Sequence, residues 1–116
     1  DFEMTRGEQT REFNYVSDIV DGFVRAGSNN KAIGRIINIG CGKDYKIKDV
    51  AKKIVSMTGS RIKLKTGELS YRNGEAARFY CNNTLARKLL GWKPKVELDQ
   101  GLRRTIEWWR KRMYSN

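Results

Sequence analysis

The segment that most constrains this chain runs from Tyr71 to Pro94, where a glycine turn leads into a short helix with a fixed end. In Tyr71-Arg72-Asn73-Gly74-Glu75 the glycine lets the backbone reverse between a guanidinium and a carboxylate. Further on, Asn82 or Asn83 can cap a helix whose Leu85, Ala86, Leu89 and Leu90 share one face, and Gly91 stops it. Pro94, the only proline, separates that helix from a last one over about Leu98 to Met113. There Leu98, Leu102, Ile106, Trp109 and Met113 fall at helical spacing, widened by Trp108, and predict a core-facing stripe. The turn is thereby held on a packed element. A planar guanidinium such as that of Arg72 offers a fork matched to phosphate oxygens, whereas an ionised Glu75 only accepts, which suits ribose hydroxyls. Spacing alone favours a plainer alternative, in which Arg72 and Glu75 pair with each other at a solvated turn.

Upstream, Thr10 to Val16 alternates as a short half-buried strand. Ser17 or Asp18 can start a helix with Ile19, Val20, Phe23 and Val24 on one face, ending near Gly27. After the polar loop Ser28 to Lys31, Arg35 to Ile39 reads as a buried strand running into Gly40-Cys41-Gly42. A helix over about Lys46 to Thr58 follows, with Ile47, Val50, Ala51, Ile54 and Val55 inward and Lys48, Lys52 and Lys53 toward solvent. Arg61 to Lys65 alternates as a third strand, and residues 76 to 81 bridge to the short helix. The pattern predicts an α/β unit with about three short strands and four helices.

Strand, glycine turn and helix is a phosphate-cradle pattern, but Asn38-Ile39-Gly40-Cys41-Gly42 completes neither motif that it approaches. The dinucleotide fingerprint needs a third glycine where Tyr45 stands. The first motif of S-adenosylmethionine-dependent methyltransferases wants an acid at Asn38 and a glycine at Asp44. The turn is read as structural, with a methyltransferase-like fragment as an alternative.

The chain has no histidine and two cysteines, Cys41 and Cys81, which removes His-centred acid/base chemistry and the common zinc sites. No metal site is expected, and buried free thiols are expected rather than a disulfide. The net charge of +11 invites a polyanion, and Glu68 and Glu75 are the only acids in the basic stretch 61 to 95. Phosphate-bearing ligands and nucleic acid both fit that skew. The bases Arg103, Arg104, Arg110, Lys111 and Arg112 on the last helix read as solvated, so a small basic nucleic-acid module is the weaker alternative. No charged leader or long apolar run is present, so no signal peptide, membrane span or membrane partner is expected and the expected setting is soluble and cytoplasmic.

Tyr71 to Glu75, Leu85 to Pro94 and Leu98 to Trp108, together with Gly7 to Asp18, resemble the closing segment of the extended short-chain dehydrogenase/reductase family. These are NAD-dependent nucleotide-sugar 4-epimerases, 4,6-dehydratases and related reductases, isomerases and lyases that feed polysaccharide and deoxysugar synthesis. By that resemblance Arg11 and Arg72 fall where the family holds the substrate diphosphate, and Glu75 where an acid meets the ribose. The resemblance implies that residues 1–116 are a C-terminal substrate-binding lobe, lacking the N-terminal dinucleotide-binding (Rossmann) fold. The family's GxxGxxG turn has no counterpart here, nor has its YxxxK pair, since no tyrosine has a lysine four positions later. No catalytic residue, no cofactor site and no turnover by this chain alone are therefore expected, with NAD or NADP belonging to the full-length enzyme. The implied partners are a UDP-, dTDP-, GDP- or CDP-linked sugar and the N-terminal lobe, with a homodimer left open. Glu12 stands where the family usually has Asp, Asn73 where Pro is common, Asn82 where Asp is frequent, and Cys41 where Ser or Thr is usual.

Overall fold

The computed structural model describes residues 1–115. In chain order these form β1 (Phe2–Met4), β2 (Thr10–Glu12), α1 (Val16–Gly27), a single 3₁₀ turn (Asn30–Ala32), β3 (Asp44–Lys46), α2 (Ile47–Thr58), β4 (Leu64–Thr66), β5 (Arg78–Phe79), α3 (Thr84–Leu90) and α4 (Leu98–Met113). β1 and β4 pair in parallel as one small sheet, and β2 is the centre of a second, antiparallel to β3 and parallel to β5. Its register sets Arg11 opposite both Tyr45 and Phe79.

The helices end where the glycines predict. Gly59 (φ +66°) closes α2 and Gly91 (φ +60°) closes α3, each in the left-handed region that a side chain would resist. After α3, the Gly91 and Trp92 amides donate to the carbonyls of Arg87 and Ala86, which folds Trp92 back beneath the helix. Trp92 is only 1% exposed and packs with Ala86 and Leu90, against which Ala26, Ala32, Ile37, Ile39 and Leu89 close. Its indole Nε1 donates to the Asp18 carbonyl at 2.8 Å. The Asp18 carboxylate, 5% exposed, accepts the amides of Lys95 (3.1 Å) and Val96 (3.0 Å). Asp18 therefore ties α1 to the chain after Pro94 instead of starting its own helix, which begins at Val16 with Tyr15 as its cap.

Several expectations are corrected. Arg35 to Ile39 forms no ladder, and Ile36 stands 93% exposed, because a strand needs a neighbouring backbone and none of the described residues supplies one. The strand at Thr10 stops at Glu12, three residues before α1. β1 lies in residues 1 to 9, which show little periodicity, and β3 and β5 lie in stretches read as helix start and connection, since two or three residues are too few to show a period. Lys48 and Lys53 are not simply solvated: they pair with Glu8 and Asp99. The α1 side chains Val20, Phe23 and Val24 form an apolar face that is left exposed, and so is the end of the α4 stripe at Trp109 and Met113.

Candidate functional site

β2 carries Arg11 at the middle of its sheet, and the Tyr71–Ala77 loop lies along the same strand. Gly74 adopts φ +76°, and the Glu75 amide donates to the Arg72 carbonyl at 3.1 Å to close the turn. The Thr10 amide donates to the Ala77 carbonyl (2.8 Å) and the Glu8 amide to the Tyr71 hydroxyl (3.1 Å), so both ends of the loop are fastened to β2 and its approach. Arg11 Nη1 donates to the carbonyls of Thr10 (2.7 Å) and Ala76 (2.9 Å), and Nη2 to Glu75 Oε1 (2.9 Å). Both side chains of that ion pair remain about a quarter exposed, at 27% and 25%.

The structure thus brings together Arg11 and Glu75, not Arg72 and Glu75. Arg72 is exposed and makes no ion pair or side-chain hydrogen bond among the described residues, because the closing backbone bond of the turn leaves Glu75 facing β2. A cavity of about 220 Å³ adjoins the pair, lined by Glu8, Gln9, Tyr71, Glu75, Ala76 and Ala77. The buried Gln9 Oε1 has no hydrogen-bond partner among the described residues. Neither Gln9 nor Tyr71 was singled out from sequence. Their signal was adjacency, Gln9 two places before Arg11 and Tyr71 at the head of the turn.

Glu12, next to Arg11, decides the fate of the glycine turn. Its Oε2 accepts the amides of Gly42 (2.8 Å) and Cys81 (3.2 Å), and Oε1 accepts Asn14 Nδ2 (2.9 Å). Asn14 Oδ1 takes the Cys41 amide (2.8 Å), and Asn83 Nδ2 donates to the Gly40 carbonyl (2.8 Å). A Cβ on Gly40 would sit 1.9 Å from Glu12 Oε1. The amides that would cradle a phosphate at this turn are already held by side chains of the protein, so it does not fit a dinucleotide pyrophosphate. Burial, with the Glu12 charge adding to it, pushes both the Cys41 and Cys81 thiols up, and both are free.

Beside this junction, Asp44 accepts Arg78 through Nε (2.9 Å) and Nη2 (3.2 Å) and is also bonded by the Thr10 hydroxyl. Arg78, and after it Thr10, lowers the Asp44 carboxyl from 3.8 to about 2. Lys48, then Lys46, lowers Glu8 from 4.5 to about 2 in the same way. Arg78 also lies over the Tyr80 ring at 5.0 Å, which leaves it engaged at the sheet. A concavity of about 610 Å³ lies elsewhere: an apolar groove lined by Ile19, Phe23, Ile33, Ile37 and Ile39 among others. Arg35 is the one charged residue in its lining, and its mostly apolar side chains suit a protein surface better than a phosphate.

Fold and site together describe a small α/β lobe built round an arginine–carboxylate pair, with a strand-like segment at its side that pairs with none of the described residues. The family model for GDP-mannose 4,6 dehydratase matches residues 1–105. UDP-glucuronic acid decarboxylase 1 of Xenopus tropicalis is 36% identical over 110 residues, covering 92% of this chain and 24% of the relative. UDP-glucose 4-epimerase of Mycolicibacterium smegmatis is 34% identical over 107 residues, covering 90% and 32%. The crystal structure of Thermotoga maritima UDP-glucose 4-epimerase with UDP-glucose superposes with a TM-score of 0.88 at 28% identity, covering 97% of this chain and 36% of that one. The chain belongs to the extended short-chain dehydrogenase/reductase family of nucleotide-sugar epimerases and dehydratases, and spans a quarter to about a third of the relatives that it matches. Among the described residues no helix is long and apolar enough to cross a membrane.

Proposed function

We propose that this chain is the C-terminal, substrate-gripping lobe of an NAD(P)-dependent nucleotide-sugar epimerase, dehydratase or reductase. The observation that carries the reading is the Arg11–Glu75 pair, whose Glu75 lines the small cavity, with Arg72 on the same loop making no ion pair among the described residues. Arg11 spends three donors on Thr10, Ala76 and Glu75, which keeps its Nε–H and one Nη2–H for phosphate oxygens. Arg72 closes on the diphosphate from the other side, and Glu75 Oε2 accepts from the ribose hydroxyls. A uridine nucleotide is the first candidate, because the relatives above include enzymes named for UDP-sugars and one solved with UDP-glucose.

NAD or NADP, bound elsewhere in the whole enzyme, supplies the hydride acceptor; this chain's residues bind and orient. The apolar groove beside α1 and the unpaired Ile36 segment then meet the remainder of the enzyme, covering surface that water otherwise touches.

Amide-resolved NMR titration with UDP, dTDP, GDP and CDP tests the reading, with a DNA duplex as control. Shifts concentrated at Arg11, Tyr71 to Glu75 and Gln9, and weakened at least tenfold in Arg11→Ala and Arg72→Ala, are expected. Shifts that survive both substitutions, or that appear with DNA alone and vanish in salt, would overturn it. Oxidation of a nucleotide sugar by this chain with added NAD would overturn the assignment of catalysis to the rest of the enzyme.

A further inference from the structure

The C-terminal half of α4 is built differently from the half that packs. Near its start, Gly101 lies against the Tyr15 ring, Asp99 pairs with Lys53 at 2.9 Å, and Arg104 sits 5.5 Å over Tyr15. The last tie to α2 is Arg110 Nη2, which donates to the Thr58 carbonyl at 3.2 Å. Around and beyond it Trp108 and Trp109 are 51% and 54% exposed, and Met113 and Tyr114 more so. The two indoles meet edge to face with centroids 5.0 Å apart, and the Arg112 guanidinium lies 5.2 Å from the Trp108 ring. From 103 to 114 the charged residues are Arg103, Arg104, Arg110, Lys111 and Arg112 against Glu107 alone.

We propose that this end of α4 docks on an anionic lipid surface. Indoles sit at the boundary of headgroup and acyl chain, where the ring is apolar and its N–H stays wet, and a flanking arginine or lysine extends its charge to the lipid phosphates. Charge complementarity selects the occupant. A second copy would set one basic helix end against another, which repels. The apolar groove beside α1 includes no α4 residue, so this end of α4 is a surface distinct from the one proposed above to meet the rest of the enzyme. The inference is independent of the nucleotide reading and departs from the sequence expectation of no membrane partner, which rested on the lack of a spanning segment and does not bear on surface docking.

The test is co-sedimentation and tryptophan emission of the chain with phosphatidylcholine vesicles, with and without phosphatidylglycerol. Binding to the anionic vesicles alone, with emission moving to shorter wavelength and reversed by salt, is expected. Lys111→Gln with Arg112→Gln should weaken it about 25-fold, at about fivefold per charge. Trp108→Ser with Trp109→Ser should abolish the emission change, whereas Phe23→Ser with Ile36→Ser, on the other apolar face, should leave anionic binding intact. Circular dichroism checks that each variant keeps its helices. Equal binding to neutral vesicles, anionic binding that survives both α4 double substitutions, or binding to duplex DNA through these residues with none to vesicles would each overturn the proposal.

Discussion

Replacing Asp18 by alanine should destabilise the chain by about 3 kcal/mol. Its carboxylate is buried and accepts two main-chain amides, Lys95 and Val96, at 3.0–3.1 Å. A hydrogen bond to an ionised acceptor contributes roughly 1.5–3 kcal/mol, and the partly exposed backbone after Pro94 can recruit water in its place, which holds each loss to the lower end. Domains of this size are stable by only about 5–15 kcal/mol in total. Asp18→Asn should cost about half as much: its carbonyl can keep both amides from the Oδ2 position, but its NH₂ then faces the Lys95 N–H where Oδ1 accepted it at 3.1 Å. Trp92→Phe removes the indole donor to the Asp18 carbonyl, so the double variant should lose less than the sum of the two. Urea unfolding followed by far-ultraviolet circular dichroism measures the four variants against the unsubstituted chain. An Asp18→Ala loss under about 1 kcal/mol, or strict additivity with Trp92→Phe, would refute the picture of one latch joining α1 to the segment after α3.

Acid should weaken the fold in a defined window. Glu8 and Asp44 have folded values near 2 against 4.5 and 3.8, so their contribution is whole above those ordinary values and is lost as pH falls toward 2. Glu8→Gln with Asp44→Asn should flatten melting temperature against pH below about 4.5, and high salt should shrink the effect because both ion pairs meet solvent. Cys41 and Cys81 should react with iodoacetamide at pH 8 several-fold more slowly than a small thiol, since burial raises both; equal rates would contradict it. Gly40→Ala should destabilise by roughly 2 kcal/mol in a urea titration, because the new methyl meets Glu12 Oε1 at 1.9 Å and Cys81 Sγ at 2.7 Å. A neutral result there would mean that the Glu12 junction is loose.

The helices were legible because their signals are local. Apolar residues recur at helical spacing in α2 and α3, and Gly59 and Gly91 stop those helices where the left-handed conformation is needed. The family resemblance was legible for the same reason, being carried by short runs such as Leu85 to Pro94. Candidate residues Arg11, Arg72 and Glu75 could be named, but their pairing could not.

What the tertiary structure decided is every relation between segments distant along the chain. Glu75 turns to Arg11, 64 positions away, because the loop is pinned to β2 by backbone bonds that no spacing rule encodes. Glu12 fills the Gly40–Gly42 turn and converts an apparent phosphate cradle into a structural joint. Arg35 to Ile39 has the composition of a strand but no ladder among the described residues, since composition sets what a segment can pair with and only a neighbouring backbone makes it pair. Local sequence determined the helices; which short segments pair as strands, and the hydrogen bonds and ion pairs that join the elements, depend on which surfaces packing brings within about 3 Å of each other.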